Sequence, residues 1–249
     1  MGAVAIDTSL SRPVGFYEAY VGKKFVMAVT GVMLVAYIFG HLAGNLQIFI
    51  PPKIVSGQAV YQINTYARLL HSSEALLWAV RTVLIAAVAL HVWSAFLLWL
   101  MKQRARPQDY IKKDDVGVTY ASRTMVWSGP IIAAFVIFHI LHLTAGSAGL
   151  GYQGPVTGAG GSEQFFAYQN LVRGFRHVPV AIGYMVAVGL LSLHLYHGIW
   201  SMFQSAGVSH PKWMSRLKLA SHVIAWLIAA GYISIPVAVL ARVVGSEVP

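Results

Sequence analysis

Long apolar runs separated by short polar stretches dominate the chain. Five runs are long enough to cross a bilayer as helices, which takes about 20 apolar residues each. They lie near residues 24–50, 74–101, 124–146, 177–204 and 219–240. Pro51 and Pro52 close the first run, and Pro179 falls in the first turn of the fourth, where its missing N–H does no harm. The intervening segments differ in kind: 51–73 is polar and aromatic, whereas 144–163 is rich in glycine and reads as irregular. No internal repeat is visible. The pattern predicts an all-α integral membrane protein, with five helices bundled in one membrane domain over residues 1–249. Residues 1–23 form a polar segment ahead of it and are too polar for a cleaved signal peptide.

Composition supports this reading. The chain is 57% hydrophobic and only 10% charged, with a mean hydropathy of +0.64, more apolar surface than a soluble domain of this size can hide. It has no cysteine, so disulfides, thiolate chemistry and cysteine-ligated clusters within this chain are excluded.

The net charge of +10 is read through topology, not as a nucleic-acid footprint. Twelve of the 18 basic residues fall on one side of a five-span chain: Arg12, Lys23, Lys24, Lys102, Arg104, Arg106, Lys112, Lys113, Arg123, Lys212, Arg216 and Lys218. By the positive-inside rule that side is the cytoplasm. The expected protein therefore sits in a bacterial or archaeal cytoplasmic membrane, N-terminus inside and C-terminus outside. Its basic loops meet anionic lipid or an acidic partner.

Four of the apolar runs each hold a mid-span histidine: His41, His91, His139 and His194. An intramembrane imidazole is costly unless its nitrogens are occupied, and neutral imidazole is a common axial ligand of haem iron. Depth sorts the four. At about 1.5 Å per residue, His91 and His194 lie roughly 15 Å from the inner ends of their spans. On the same rise, His41 and His139 lie roughly 25 and 22 Å in. Two levels of two imidazoles would serve two stacked bis-histidine haems. His142 and His197 each follow a candidate by three residues and share its face. Depth alone does not separate His142 from His139; as non-ligands, both are candidate donors to a propionate, a quinone or a carbonyl.

Other polar residues are candidates for haem propionates or a quinone. Arg81 lies well inside the second span, where it either snorkels outward or pairs with an outer propionate. His71, Glu74, Trp78 and Arg81 recur at helical spacing, a face suited to a quinone head. Arg173, Arg176 and His177 stand at the outer mouth, and Lys23, Lys24 and Arg123 at the inner one. Gly40 and Gly44 flank His41, and Gly198 follows His194 by four. Such small residues serve close helix contact or make room for a macrocycle, and the sequence does not choose. The fifth span has no mid-span histidine and reads as structural.

These residues resemble the five-helix, di-haem cytochrome b membrane anchor of succinate dehydrogenase and fumarate reductase. The resemblance runs from Tyr17 to Val243 and rests on four segments: His41 in GHLAGN, His91 in LHVWSAF, His139 ending SGPIIAAFVIFH and His194 in LHLYHGIWSMFQSAG. The last is the most specific, because the family sets a ligand histidine four residues before a glycine. The resemblance selects His139 over His142 and His194 over His197. It implies one haem b between His91 and His194 and a second between His41 and His139. It also implies a flavoprotein subunit with covalent FAD, an iron–sulfur subunit feeding the inner haem, and a quinone acceptor, with menaquinone the usual one. Some fumarate reductases of this family carry a glutamate two residues before the last ligand; Ser192 stands there, which favours succinate oxidation. Other readings are the cytochrome b anchor of a different dehydrogenase, a quinol:fumarate reductase, a haem-free structural anchor, or a transporter with histidine proton relays.

Overall fold

The computed structural model describes residue 17 and residues 19–105, 120–158, 163–208 and 210–248. It is mainly helical: α1 (Tyr20–Asn45), α2 (Gln62–His71), α3 (Glu74–Arg104), α4 (Tyr120–Leu143), α5 (Ala167–Arg176), α6 (Val178–Ser205) and α7 (Pro211–Leu240). Five of these helices, α1, α3, α4, α6 and α7, are long and apolar enough to cross a membrane. The segment 1–23 and the basic loop before α4 lie largely outside the described residues.

Local chemistry sets the ends. After α1 the chain tightens into a 3₁₀ turn, Leu46–Phe49, before the two prolines stop it. Ser73 is extended and its side chain accepts the Leu76 N–H, so it caps α3 and separates it from α2. The fourth expected span ends in α6 much as predicted, with proline in its first turn. The fifth begins earlier than predicted, at Pro211 instead of 219, because proline suits a first helical turn and the polar residues after it continue the helix. The third ends at Leu143, ahead of Gly146, whose φ of +68° belongs to a turn. Pro130 and Pro236 lie inside α4 and α7, a placement that helices buried in membranes tolerate.

The linkers at one end of the bundle are more ordered than the sequence suggests. Strands β1 (Lys53–Val55) and β2 (Gln58–Val60) form an antiparallel hairpin. Ser56 and Gly57 both have positive φ, as a two-residue hairpin turn needs. Strands β3 (Val156–Thr157) and β4 (Glu163–Gln164) form a second, shorter hairpin. Helices α2 and α5 pack on each other and on α1, α4 and α7 and so form a cap over their C-terminal ends, with β4 against α2 and the β1–β2 hairpin exposed. The larger core cluster joins this cap to the helices through Ile48, Tyr61, Tyr168, Val172, Phe175 and Val248. A smaller cluster, Leu42, Leu195, Ile199 and Ile228, holds the middle of the bundle.

The spans themselves are thinly covered. The most apolar window of α4 is 6% buried and that of α7 39%, so α4 turns most of its surface outward, as a lipid-facing helix does. Helix α6 packs on α7, α4 and α1; α1 packs in turn on α3. The four helices thus follow one another as α3, α1, α6, α4. Among the described residues neither α3 with α6 nor α1 with α4 shares an extended contact.

Candidate functional site

The histidines bridge those two separated helix pairs. His91 on α3 and His194 on α6 place their ring centroids 6.3 Å apart. His41 on α1 and His139 on α4 place theirs 5.7 Å apart. His91 and His194 lie 17 and 16 residues from the cap ends of their helices. His41 and His139 lie four residues from the cap ends of theirs. The pairs therefore occupy two levels, separated on the order of 15–20 Å along the bundle.

A metal between two imidazoles fits this spacing. With a metal–nitrogen bond of about 2 Å on each side, and ring centroids about 1 Å beyond each nitrogen, the rings stand about 6 Å apart. The Nδ1 atoms have oxygen neighbours in three of the four. His91 Nδ1 lies 3.2 Å from Thr30 Oγ1, His139 Nδ1 lies 3.3 Å from Tyr184 Oη, and His41 Nδ1 lies 3.5 Å from Tyr37 Oη. The contacts of Thr30 fit one tautomer of His91. Its hydroxyl donates to the carbonyls of Val26 (2.8 Å) and Met27 (3.1 Å), so its oxygen is left to accept from His91 Nδ1–H. The lone pair of that imidazole then lies on Nε2, where a metal would need it. His194 Nδ1 is buried without a protein partner.

His142 is held elsewhere. It is 2% exposed, its Nδ1 lies 2.9 Å from Tyr184 Oη, and a Cβ on Gly174 would stand 2.5 Å from its Nε2. Nδ1 is thus engaged with α6, and Nε2 is packed against α5. His197 sets its ring edge to face against Trp200 at 5.1 Å; its Nδ1 and Trp200 Nε1 are buried and unpartnered.

The glycines divide. A Cβ on Gly44 would stand 2.6 Å from the Tyr66 ring, so Gly44 is a socket for an aromatic of α2. A Cβ on Gly40 or Gly198 would meet nothing within 4 Å. The close helix approach near His41 is made instead by Gly231 of α7, where a Cβ would stand 2.9 Å from Leu42.

The expected face through His71, Glu74, Trp78 and Arg81 does not form as one helix. His71 ends α2, where its Nδ1 bonds to the Ala67 carbonyl at 2.8 Å and its ring packs on Phe165. The extended Ser73 then resets the backbone, so helical spacing no longer relates His71 to the other three. Glu74 is exposed in the first turn of α3, where the helix dipole favours it. Arg81 lies over the Trp78 ring at 5.2 Å.

The remaining cations are largely occupied within the chain. Arg173 donates to Gln153 Oε1 at 3.2 Å and Arg176 to the Gly245 carbonyl at 2.7 Å; both fasten loops at the cap. His177 caps α6 and is exposed. Buried Lys23 donates to the Tyr17 carbonyl at 2.8 Å, and Lys24 lies over the Tyr20 ring. Arg123 is exposed, near the start of α4. Ser192 donates to the Val188 carbonyl of its own helix at 3.0 Å, so its hydroxyl proton is spent locally.

Thr30 and Tyr184 were not singled out by sequence. Each reaches its histidine from another helix, at separations of 61 and 45 residues, where no spacing rule applies. Tyr37 was legible in principle, four residues before His41.

No family model matches the chain, and neither a curated protein nor a solved structure matches it. The class that fold and site define is a helical protein with five helices long and apolar enough to cross a membrane.

Proposed function

We propose that this chain is the haem b membrane anchor of a succinate:quinone oxidoreductase. The observation that carries the reading is the pair of diagonals. Two histidine pairs, at two levels, each join helices that share no extended contact among the described residues. Each pair offers a metal two nitrogens, and a tetrapyrrole supplies the remaining ligands itself. Two haem b groups would then be held by His91 with His194 and by His41 with His139. When bound, haem carries one electron at a time by changing the oxidation state of its iron.

The chain's own part is to hold, orient and bury. Thr30 suits one tautomer of His91, and Tyr184 contacts His139. The four imidazoles are half-buried, and lipid around the thinly covered helices would complete their apolar surroundings. In this reading the cap is the outer face and the basic end is cytoplasmic, as the charge bias requires. An iron–sulfur subunit, itself served by a flavoprotein with covalent FAD, docks at the basic end. Electrons reach the His91–His194 level first and leave to a quinone, with menaquinone the expected acceptor. In this reading Arg81, Glu74 and Trp78 at the cap end, and Lys24, Arg123 and His197 at the other, are the candidates to meet propionates or quinone, whereas Lys23 is buried and holds Tyr17. Dicarboxylate chemistry belongs to the partner subunits.

The test is a reduced-minus-oxidised spectrum and haem stoichiometry of the purified protein. A b-type alpha band and two haems per chain are expected, with a flavinylated subunit copurifying. A protein without chromophore would favour histidines acting as proton relays. Two haems with a different dehydrogenase partner would keep the cytochrome and move the assignment.

A further inference from the structure

Among the described residues, Tyr184 is the one hydroxyl found between two histidines. Its Oη lies 3.3 Å from His139 Nδ1 and 2.9 Å from His142 Nδ1. Its ring is boxed edge to face by Phe135 at 4.9 Å, Phe138 at 6.0 Å and Phe175 at 4.9 Å. The phenol is buried, at 6% exposure. A side chain held this way has one place for its oxygen, and both imidazoles meet it there.

We propose that Tyr184 and His142 form a built-in support for His139, one that orients this ligand and lowers the reduction potential of the haem nearer the cap. The inference rests on the haem reading above and deepens it. Its core is a proton count. A neutral imidazole that gives Nε2 to a metal carries its only proton on Nδ1. His139 Nδ1–H must then donate to Tyr184 Oη. A phenol has one proton to give, and the remaining neighbour is His142, whose Nδ1 accepts it. The proton of His142 is thereby placed on Nε2, the atom packed against Gly174. The order that pairs Nδ1 of both imidazoles and the phenolic proton within this trio is His139 to Tyr184 to His142.

That order has a consequence. A hydroxyl whose proton is drawn toward a second acceptor is itself a better acceptor. It makes the His139 imidazole richer in electrons, as hydrogen-bonded outer partners of ligand histidines generally do. An electron-rich ligand favours ferric over ferrous iron. His41, the opposite imidazole, has only the longer 3.5 Å approach of Tyr37. The arrangement also explains why His142, three residues away on the same helix, is the support and not the ligand. Its Nδ1 is taken, and its Nε2 faces backbone.

Tyr184→Phe, His142→Leu and His142→Asn, each in the full complex, test this by redox titration and low-temperature EPR of the ferric haems. The cap-end signals are those missing from His41→Ala. Tyr184→Phe is expected to keep two haems and to shift one potential upward. A tenfold change in ferric-to-ferrous preference would be about 59 mV for a one-electron couple. Only the cap-end EPR signal should move. His142→Leu should shift it the same way, and His142→Asn, whose Oδ1 can accept the phenolic proton, should restore it. If Tyr184→Phe does not assemble, the two His142 variants decide alone. Two haems with unmoved potentials, or an Asn variant no different from Leu, overturn this inference and leave the haem reading standing. A wild-type protein without b-type haem overturns both.

Discussion

His41 and His139 meet edge to face, with ring centroids 5.7 Å apart and an interplanar angle of 88°, although their helices share no extended contact among the described residues. In the proposed reading a metal would be held by these two imidazoles. The same holds for His91 and His194 one level away. Replacing either member of a pair with alanine should remove one haem and leave the other. His91→Ala and His194→Ala should lose the same spectral component; His41→Ala and His139→Ala should lose the second. Haem content should fall from two to one in all four. Variants of one pair that lose different components would break the pairing.

Thr30→Val removes the acceptor for His91 Nδ1–H while keeping the shape of the side chain. A buried donor left without a partner costs about 1–3 kcal/mol, and loss of such an outer partner weakens metal binding roughly tenfold or more. Haem held by His91 and His194 should transfer to an acceptor protein about tenfold faster in this variant. Thr30→Ser, which keeps the oxygen, should behave as wild type. Equal rates in all three proteins would remove Thr30 from the site.

Gly44 and Gly40 should respond oppositely to alanine. The new methyl at Gly44 would stand 2.6 Å from Tyr66, while that at Gly40 would meet nothing within 4 Å. Gly44→Ala is therefore expected to destabilise the cap by about 1–3 kcal/mol, the usual range for overpacking. Gly40→Ala should raise the melting temperature of the haem-free protein slightly, because alanine suits an open helix-interior position better than glycine. Thermal unfolding in detergent checks both.

The C-terminal tail is fastened to the cap by a carboxylate. Glu247 Oε1 accepts from Tyr168 Oη at 2.7 Å and Tyr61 Oη at 3.0 Å, and the two rings stack at 3.8 Å. Burial pushes the Glu247 carboxyl up, but a backbone hydrogen bond and those from Tyr168, Tyr61 and Ser246 outweigh it and hold it below its ordinary value. Burial, then the adjoining carboxylate, raises both phenols, which stay protonated as donors. A carboxyl lowered in the folded state contributes stability above its unfolded pKa and loses it as pH falls through the lowered one. Amide-exchange protection at Gly245–Val248 should therefore be full near neutrality and fall below the ordinary carboxylate range. Glu247→Gln should flatten that dependence; an unchanged acid profile would show that the carboxylate does not hold the tail.

Much of this protein is readable along the chain, and the reason is the solvent. A bilayer demands long apolar helices with their backbone bonds satisfied internally, so five expected spans appear as five helices, shifted at the edges by Pro211 and Gly146. Helical rise alone also sorts His41, His91, His139 and His194 into two levels, because depth along a span is a local count. The cap was legible only in part. Tyr168, Leu171, Val172 and Phe175 recur at helical spacing and are the buried face of α5, but nothing local shows that they pack against Ile48, Tyr61 and Val248. Spacing and depth do not divide His139 from His142, which share a face and nearly a depth; there the family resemblance alone selected His139. The folded chain shows a physical difference, by setting Tyr184 of α6 between them and Gly174 of α5 against His142, while His139 faces His41.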